Sequence, residues 1–101
     1  MKKVKISVLR KADYKDLQEK YENKIEHACD IKENKVWIIK EFVKPTDMCE
    51  SAWDSMKSFV KDLLEGKGHF YGNWMKNPYS ACISCNDGFR PVSFLLEVID
   101  D

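Results

Sequence analysis

Four cysteines give this 101-residue chain its widest chemical reach: Cys29, Cys49, Cys82 and Cys85. A cysteine sulfur acts as a nucleophile, as a ligand for a soft metal ion or as half of a disulfide, and the compartment decides among these. The opening Met1–Leu9 starts positive but has no continuous apolar run, because Lys5 and Ser7 interrupt Val4, Ile6 and Val8 in strict alternation. That pattern predicts a half-buried strand rather than a secretory signal. No stretch approaches the roughly 18 apolar residues of a membrane span. A cytoplasmic protein is expected, with its cysteines as thiols or metal ligands rather than a disulfide frame.

The spacing places Cys49 in the first turn of a helix, on the face turned toward the protein. Free amides and the helix dipole favour negative charge there, which suits a thiolate. The competing role is a small buried hydrophobe packed beside Trp53. Cys82 and Cys85, with two residues between them, have the spacing of half a zinc site. On a regular strand, however, residues three apart point to opposite faces, so the pair needs a turn to converge. No second Cys-x-x-Cys supplies the other half, and the pair does not open a helix as a thioredoxin-type motif would. Arg90 follows Cys85 closely enough to set a fixed cation beside its sulfur, or else pairs with a surface carboxylate.

The elements that must position these residues follow from periodicity. Val4, Ile6 and Val8 share one face of a first strand. Asp13 is placed to cap a helix running through Asn23, with Tyr14, Leu17 and Tyr21 as its apolar stripe. The segment from Ile25 to Glu33 has no period and reads as a loop carrying His27 and Cys29. Val36 to Val43 reads as a second strand, with Trp37 and Ile39 on one face and Val36 and Ile38 on the other, both sides fit to be covered. Asp47 and Glu50 make a capping-box-like start for a helix over 48–65, and Gly66 suits its C′ position. Cys49, Ala52, Trp53, Met56, Val60, Leu63 and Leu64 fall on one face of that helix.

Gly66 to Pro78 is glycine- and aromatic-rich, with His69, Phe70, Tyr71 and Trp74, and so either folds onto the core or lines a pocket. Ser80 to Cys85 reads as a short strand. Asn86-Asp87-Gly88 signals a turn in which Gly88 is able to take a positive φ, and Pro91 opens a last alternating strand. The order is β-α-β-α-β-β in a single domain over 1–101. The expected fold is α+β, two-layered, with about four strands and two helices on one face of the sheet.

Taken together, Cys49-Glu50-Ser51-Ala52-Trp53 and Cys85-Asn86-Asp87-Gly88-Phe89-Arg90-Pro91-Val92 carry a resemblance. The chain resembles a family of small uncharacterised bacterial proteins with a Cys-x-x-Ala-Trp helix start and a C-terminal Cys-x-Asp-Gly-x-Arg-Pro-Val motif. The resemblance spans nearly the whole chain and implies that Cys29, Cys49 and Cys85 are the family-type cysteines, with Cys82 an additional one. His27-Ala28-Cys29-Asp30 departs from the family, which more often has cysteine followed by proline there. The family implies no particular activity.

Both lines converge on a site built from Cys49 and Cys85, with Cys29 as third member and Cys82, His27 and His69 as weaker ligands. Three thiolates suit Zn²⁺ or another thiophilic metal. The alternatives are a thiol-dependent enzyme, with Cys49 or Cys85 as nucleophile and Arg90 assisting, and a non-catalytic interaction module with structural cysteines. Composition narrows the partners to a small molecule or a metal ion. Seventeen basic and seventeen acidic residues cancel, and Arg10 and Arg90 are the only arginines. Neither nucleic acid nor a membrane is an expected partner.

Overall fold

The computed structural model describes residues 2–23 and 31–100. Six elements follow one another: β1 (Lys2–Lys11), α1 (Lys15–Tyr21), β2 (Val36–Ile39), α2 (Glu50–Leu64), β3 (Ser80–Ser84) and β4 (Val92–Asp100). The strands form one antiparallel sheet in the order β2-β1-β4-β3. This is the α+β architecture and the element order that the periodicity predicts.

Alternation along the strands builds the core. Val4, Ile6 and Val8 of β1, Trp37 and Ile39 of β2, Ala81 of β3 and Val92, Phe94 and Leu96 of β4 are buried on one sheet face. Ala52, Trp53, Met56, Val60 and Leu63 of α2 close over them, at the three- and four-residue intervals of a helix stripe. The register shifts once between β1 and β4, at Leu9, the extra residue between Val8 and Arg10. The opposite sheet face, bearing Lys5, Ser7, Ile38, Cys82 and Leu95, has no helix over it among the described residues.

The helix ends differ from their expected chemistry. At the C-terminus of α2 the Gly66 N–H donates to the Leu63 carbonyl and the Lys67 N–H to the Asp62 carbonyl, with Gly66 at φ +84°. That is a Schellman stop, as the glycine predicts. At the N-terminus Cys49 rather than Asp47 is the cap residue, and its side chain makes no capping bond. Asp47 is taken up elsewhere: its Oδ1 accepts from Trp37 Nε1 at 2.8 Å, and its Oδ2 lies 3.0 Å from Lys35 Nζ. Helix α1 is shorter than expected and is capped by Tyr14, not Asp13. β2 ends at Ile39, because the chain bends over 40–42 and the Val43 N–H turns back to the Glu41 carbonyl at 2.7 Å.

Helix α2 supplies the layer over the sheet. Helix α1 buries none of its residues and packs against no strand. It is fastened to the connection between β3 and β4: the Tyr14 N–H donates to the Phe89 carbonyl at 2.8 Å, and Gln18 and Glu22 bind Arg90.

Candidate functional site

The sheet and α2 define two ends of the molecule. A Cβ placed on Gly66 would lie 3.5 Å from Lys2 Cε, so the C-terminal end of α2 sits against the start of β1. At the other end Lys35, bonded to Asp47, also accepts through its carbonyl from the Val8 N–H at 2.9 Å. Helix α2 therefore runs antiparallel to β1, with Cys49 directed toward the end where β1 finishes. Val92 pairs with Lys11 at that same end, and Cys85 is bonded to Val92. Cys49 and Cys85 thus belong to one end of the sandwich.

Their surroundings differ. Cys49 is exposed, not packed on the inward stripe of α2 as its spacing predicts. The stripe begins at Met48 and Ala52, both buried, and the cap position between them swings the Cys49 side chain outward. Cys85 is half-buried and packs against the core. Its N–H donates to the Val92 carbonyl at 3.1 Å, and its Sγ accepts from the Val92 N–H at 3.3 Å. The turn between them is tightened by Asp87 Oδ1, which accepts from the Phe89 N–H at 2.8 Å.

Cys82 and Cys85 do not converge. Cys82 is exposed on the open sheet face opposite Leu95, while Cys85 packs on the core side. Strand alternation persists through Ser84, and the turn comes too late to bring the two sulfurs together. Arg90 does not face Cys85. Its Nη1 lies 2.9 Å from Glu22 Oε1 and its Nη2 donates to Gln18 Oε1 at 2.6 Å, so its charge is spent on α1. His69 is exposed at φ +55° with its ring edge-on to Tyr79, centroids 5.5 Å apart. Among the described residues no three of histidine, cysteine, aspartate and glutamate are grouped to hold a metal ion.

Cys29 and His27 lie outside the described residues. The residues flanking that stretch are fixed at informative places. Glu22 is tied to Arg90 on the Cys85–Val92 turn, whereas Ile31 packs on the core and lines a cavity of about 200 Å³ with Trp37 and Asp47, two residues before Cys49.

Two features were not singled out by sequence reasoning. One is the Trp37–Asp47–Lys35 cluster, in which Lys35 Nζ also sits 5.7 Å over the Trp37 ring. The other is a cavity of about 440 Å³ along β2, bordered by Trp37, Ile39, Val43 and Pro45. The apolar run 36–39 followed by Pro45 was the available signal for the cavity, and nothing local signalled the cluster. The expected aromatic segment 66–78 contributes Phe70 to the core edge against Phe59, but leaves Tyr71 and Trp74 exposed and stacked edge-on, centroids 5.3 Å apart. No family model, curated protein or solved structure matches this chain.

Proposed function

We propose that this protein binds a thiophilic metal ion, Zn²⁺ or a similar one, through cysteine sulfur. Cys49 and Cys85 are the ligands from α2 and the β3–β4 turn, and Cys29 is the third. One observation carries the reading: the elements bearing Cys49 and Cys85 end at the same side of the sandwich. The amide that donates to Cys85 Sγ is the kind of outer contact that steadies a metal-bound sulfur. Cys82, on the opposite face, is not part of the set, and Arg90 serves structure rather than the thiols.

The test is metal content and free thiols measured together on anaerobically purified protein. Stoichiometric metal with a single titratable thiol supports the reading, and Cys82→Ser then keeps the metal while Cys29→Ser, Cys49→Ser and Cys85→Ser lose it. Four titratable thiols and no metal overturn it. A second reading, a non-catalytic interaction module, draws on the exposure of Tyr71, Trp74 and Tyr79. It is favoured instead if every cysteine variant alters stability alone.

A further inference from the structure

The connection between α2 and β3 is shaped so that it displays aromatic rings. Phe70 turns inward, its ring centroid 5.0 Å from that of Phe59 at the edge of the core. The His69 N–H closes the base by donating to the Pro78 carbonyl at 2.7 Å, and the Gly72 N–H donates to the His69 carbonyl at 3.2 Å. His69 and Tyr71, on either side of Phe70, take φ of +55° and +51°. That left-handed backbone is costly for any residue with a Cβ. Its result is the outward placement of Tyr71, 80% exposed, and of Trp74, whose ring meets it edge-on. An edge-on contact covers at most one face of one ring, so flat aromatic surface stays open. Backbone strain that the surroundings enforce is concentrated at ligand clamps and switch regions.

Acidic residues avoid this stretch. None of the 17 falls between Gly66 and Asn86, whereas Lys67 and Lys76 do. Lys67 is answered by Glu65 at 3.2 Å. Lys2 stands at the base, 5.9 Å from the Tyr79 ring centroid, and pairs with Asp100 across the β1–β4 ladder. Lys76, two residues beyond Trp74, has no ion-pair partner among the described residues. The segment with the exposed rings thus carries positive charge that no carboxylate opposes. We propose that Tyr71 and Trp74 form a stacking platform for single-stranded nucleic acid, with Lys76 at its phosphates. Every base has a π face, so such a platform needs no base-specific contact. A lipid surface would call for an apolar tip, but here Phe70 is turned into the core and Gly72-Asn73 lies between the two rings. An acidic peptide would meet Lys76 and bring no planar groups for the rings. The balanced charge of the whole chain argues against a nucleic-acid partner only as an average, because the acids are placed elsewhere. Neither the rings nor the lysine involves the thiols, so the metal reading stands or falls separately.

The experiment is fluorescence anisotropy of the full chain with labelled oligothymidylate and oligouridylate, a duplex of equal length and a polyglutamate peptide. Cosedimentation with phosphatidylserine vesicles runs beside it. Both single strands are expected to bind with Kd on the order of 100 μM at low salt, and the duplex at least about fivefold more weakly. Trp74→Ala weakens single-strand binding at least about fivefold. Tyr71→Gly weakens it similarly without lowering Tm, because glycine adopts the left-handed backbone freely. Lys76→Gln reduces the slope of log Kd against log salt by about 0.7, one phosphate contact. Absence of binding up to about 1 mM protein overturns the proposal. So does single-strand binding that Trp74→Ala and Tyr71→Gly both leave unchanged, or equal or tighter binding to the duplex, the polyglutamate or the vesicles.

Discussion

Arg90 grips Glu22 across 68 residues of sequence, with Nη1 2.9 Å from Glu22 Oε1 and Nη2 2.6 Å from Gln18 Oε1. The relationship turns α1 around from its expected attitude. Gln18 and Glu22, its polar residues, face the protein, while Tyr14, Leu17 and Tyr21, its apolar stripe, face solvent. A seven-residue helix with no buried side chain is held by hydrogen bonds to a turn rather than by hydrophobic burial.

Loss of that grip should release α1 and leave Glu22 half-buried without its cation. Arg90→Ala is expected to cost about 1.5–3 kcal/mol, the range for hydrogen bonds to charged groups. Arg90→Lys recovers only part, since one ammonium does not reproduce a fork that reaches two side chains. Urea unfolding gives the stability change, and amide exchange localises it. Amides of α1 should exchange faster while those in the middle of α2 lose only what the global change dictates. Equal acceleration in both helices would refute the tether.

Asp47 makes acid stability specific to one contact. The Trp37 indole N–H and then the Lys35 ammonium hold its carboxyl below the usual aspartate value. A carboxyl depressed in the folded state stabilises the fold above its unfolded pKa of about 3.9 and loses that contribution as pH falls through the folded value. Urea midpoints measured from about pH 6 down to pH 3 should therefore decline for wild type and decline less for Asp47→Asn. The amide keeps an oxygen for the indole but has no charge to titrate. Trp37 fluorescence following the same pH course would tie the change to this pair.

How far the sequence reveals this molecule is itself instructive. Alternation in Val4, Ile6, Val8 and in Val92, Phe94, Leu96, and the stripe Ala52–Leu63, announce the sheet face and the covering helix, because burial imposes those periods directly. Gly66 announces its stop for the same local reason. Partners distant in sequence stay hidden: nothing near Asp47 says that Trp37 will claim its carboxylate, so the expected cap passes to Cys49. Likewise Arg90 gives no hint that Glu22 lies opposite. For the cysteines, strand alternation correctly separates Cys82 from Cys85, whereas the outward turn of Cys49 depends on a cap geometry that its helix spacing does not encode.

Cys85 and Val92 offer a test that does not need a metal. The Val92 N–H has the Cys85 sulfur as acceptor at 3.3 Å. Cys85→Ala leaves that half-buried amide without an acceptor and is expected to cost about 1–2 kcal/mol. In the metal-free protein under denaturant-free conditions, Cys49 and Cys82 should be alkylated first and Cys85 last, in keeping with exposure. Peptide mass spectrometry after timed alkylation reads the order. Cys85 labelling ahead of both exposed thiols would contradict the placement of the β3–β4 turn.

Two glycines that look alike in sequence should respond oppositely to a methyl group. A Cβ on Gly68 would lie 2.6 Å from the Pro78 carbonyl oxygen and 2.6 Å from Tyr79 Cδ1. That carbonyl cannot easily retreat, because the His69 N–H already donates to it at 2.7 Å and closes the loop onto β3. Gly68→Ala is therefore expected to destabilise by about 1–3 kcal/mol, the usual cost of overpacking. Gly88 has nothing within 4 Å of its Cβ position and does not take the positive φ open to it. Gly88→Ala should fall within about 0.5 kcal/mol of wild type, or gain slightly by stiffening the unfolded chain. Thermal unfolding of the two variants side by side decides the matter. If Gly88→Ala loses as much as Gly68→Ala, the turn before β4 needs a conformation only glycine supplies, and the close approach of residue 68 to Pro78 is not what distinguishes the two sites.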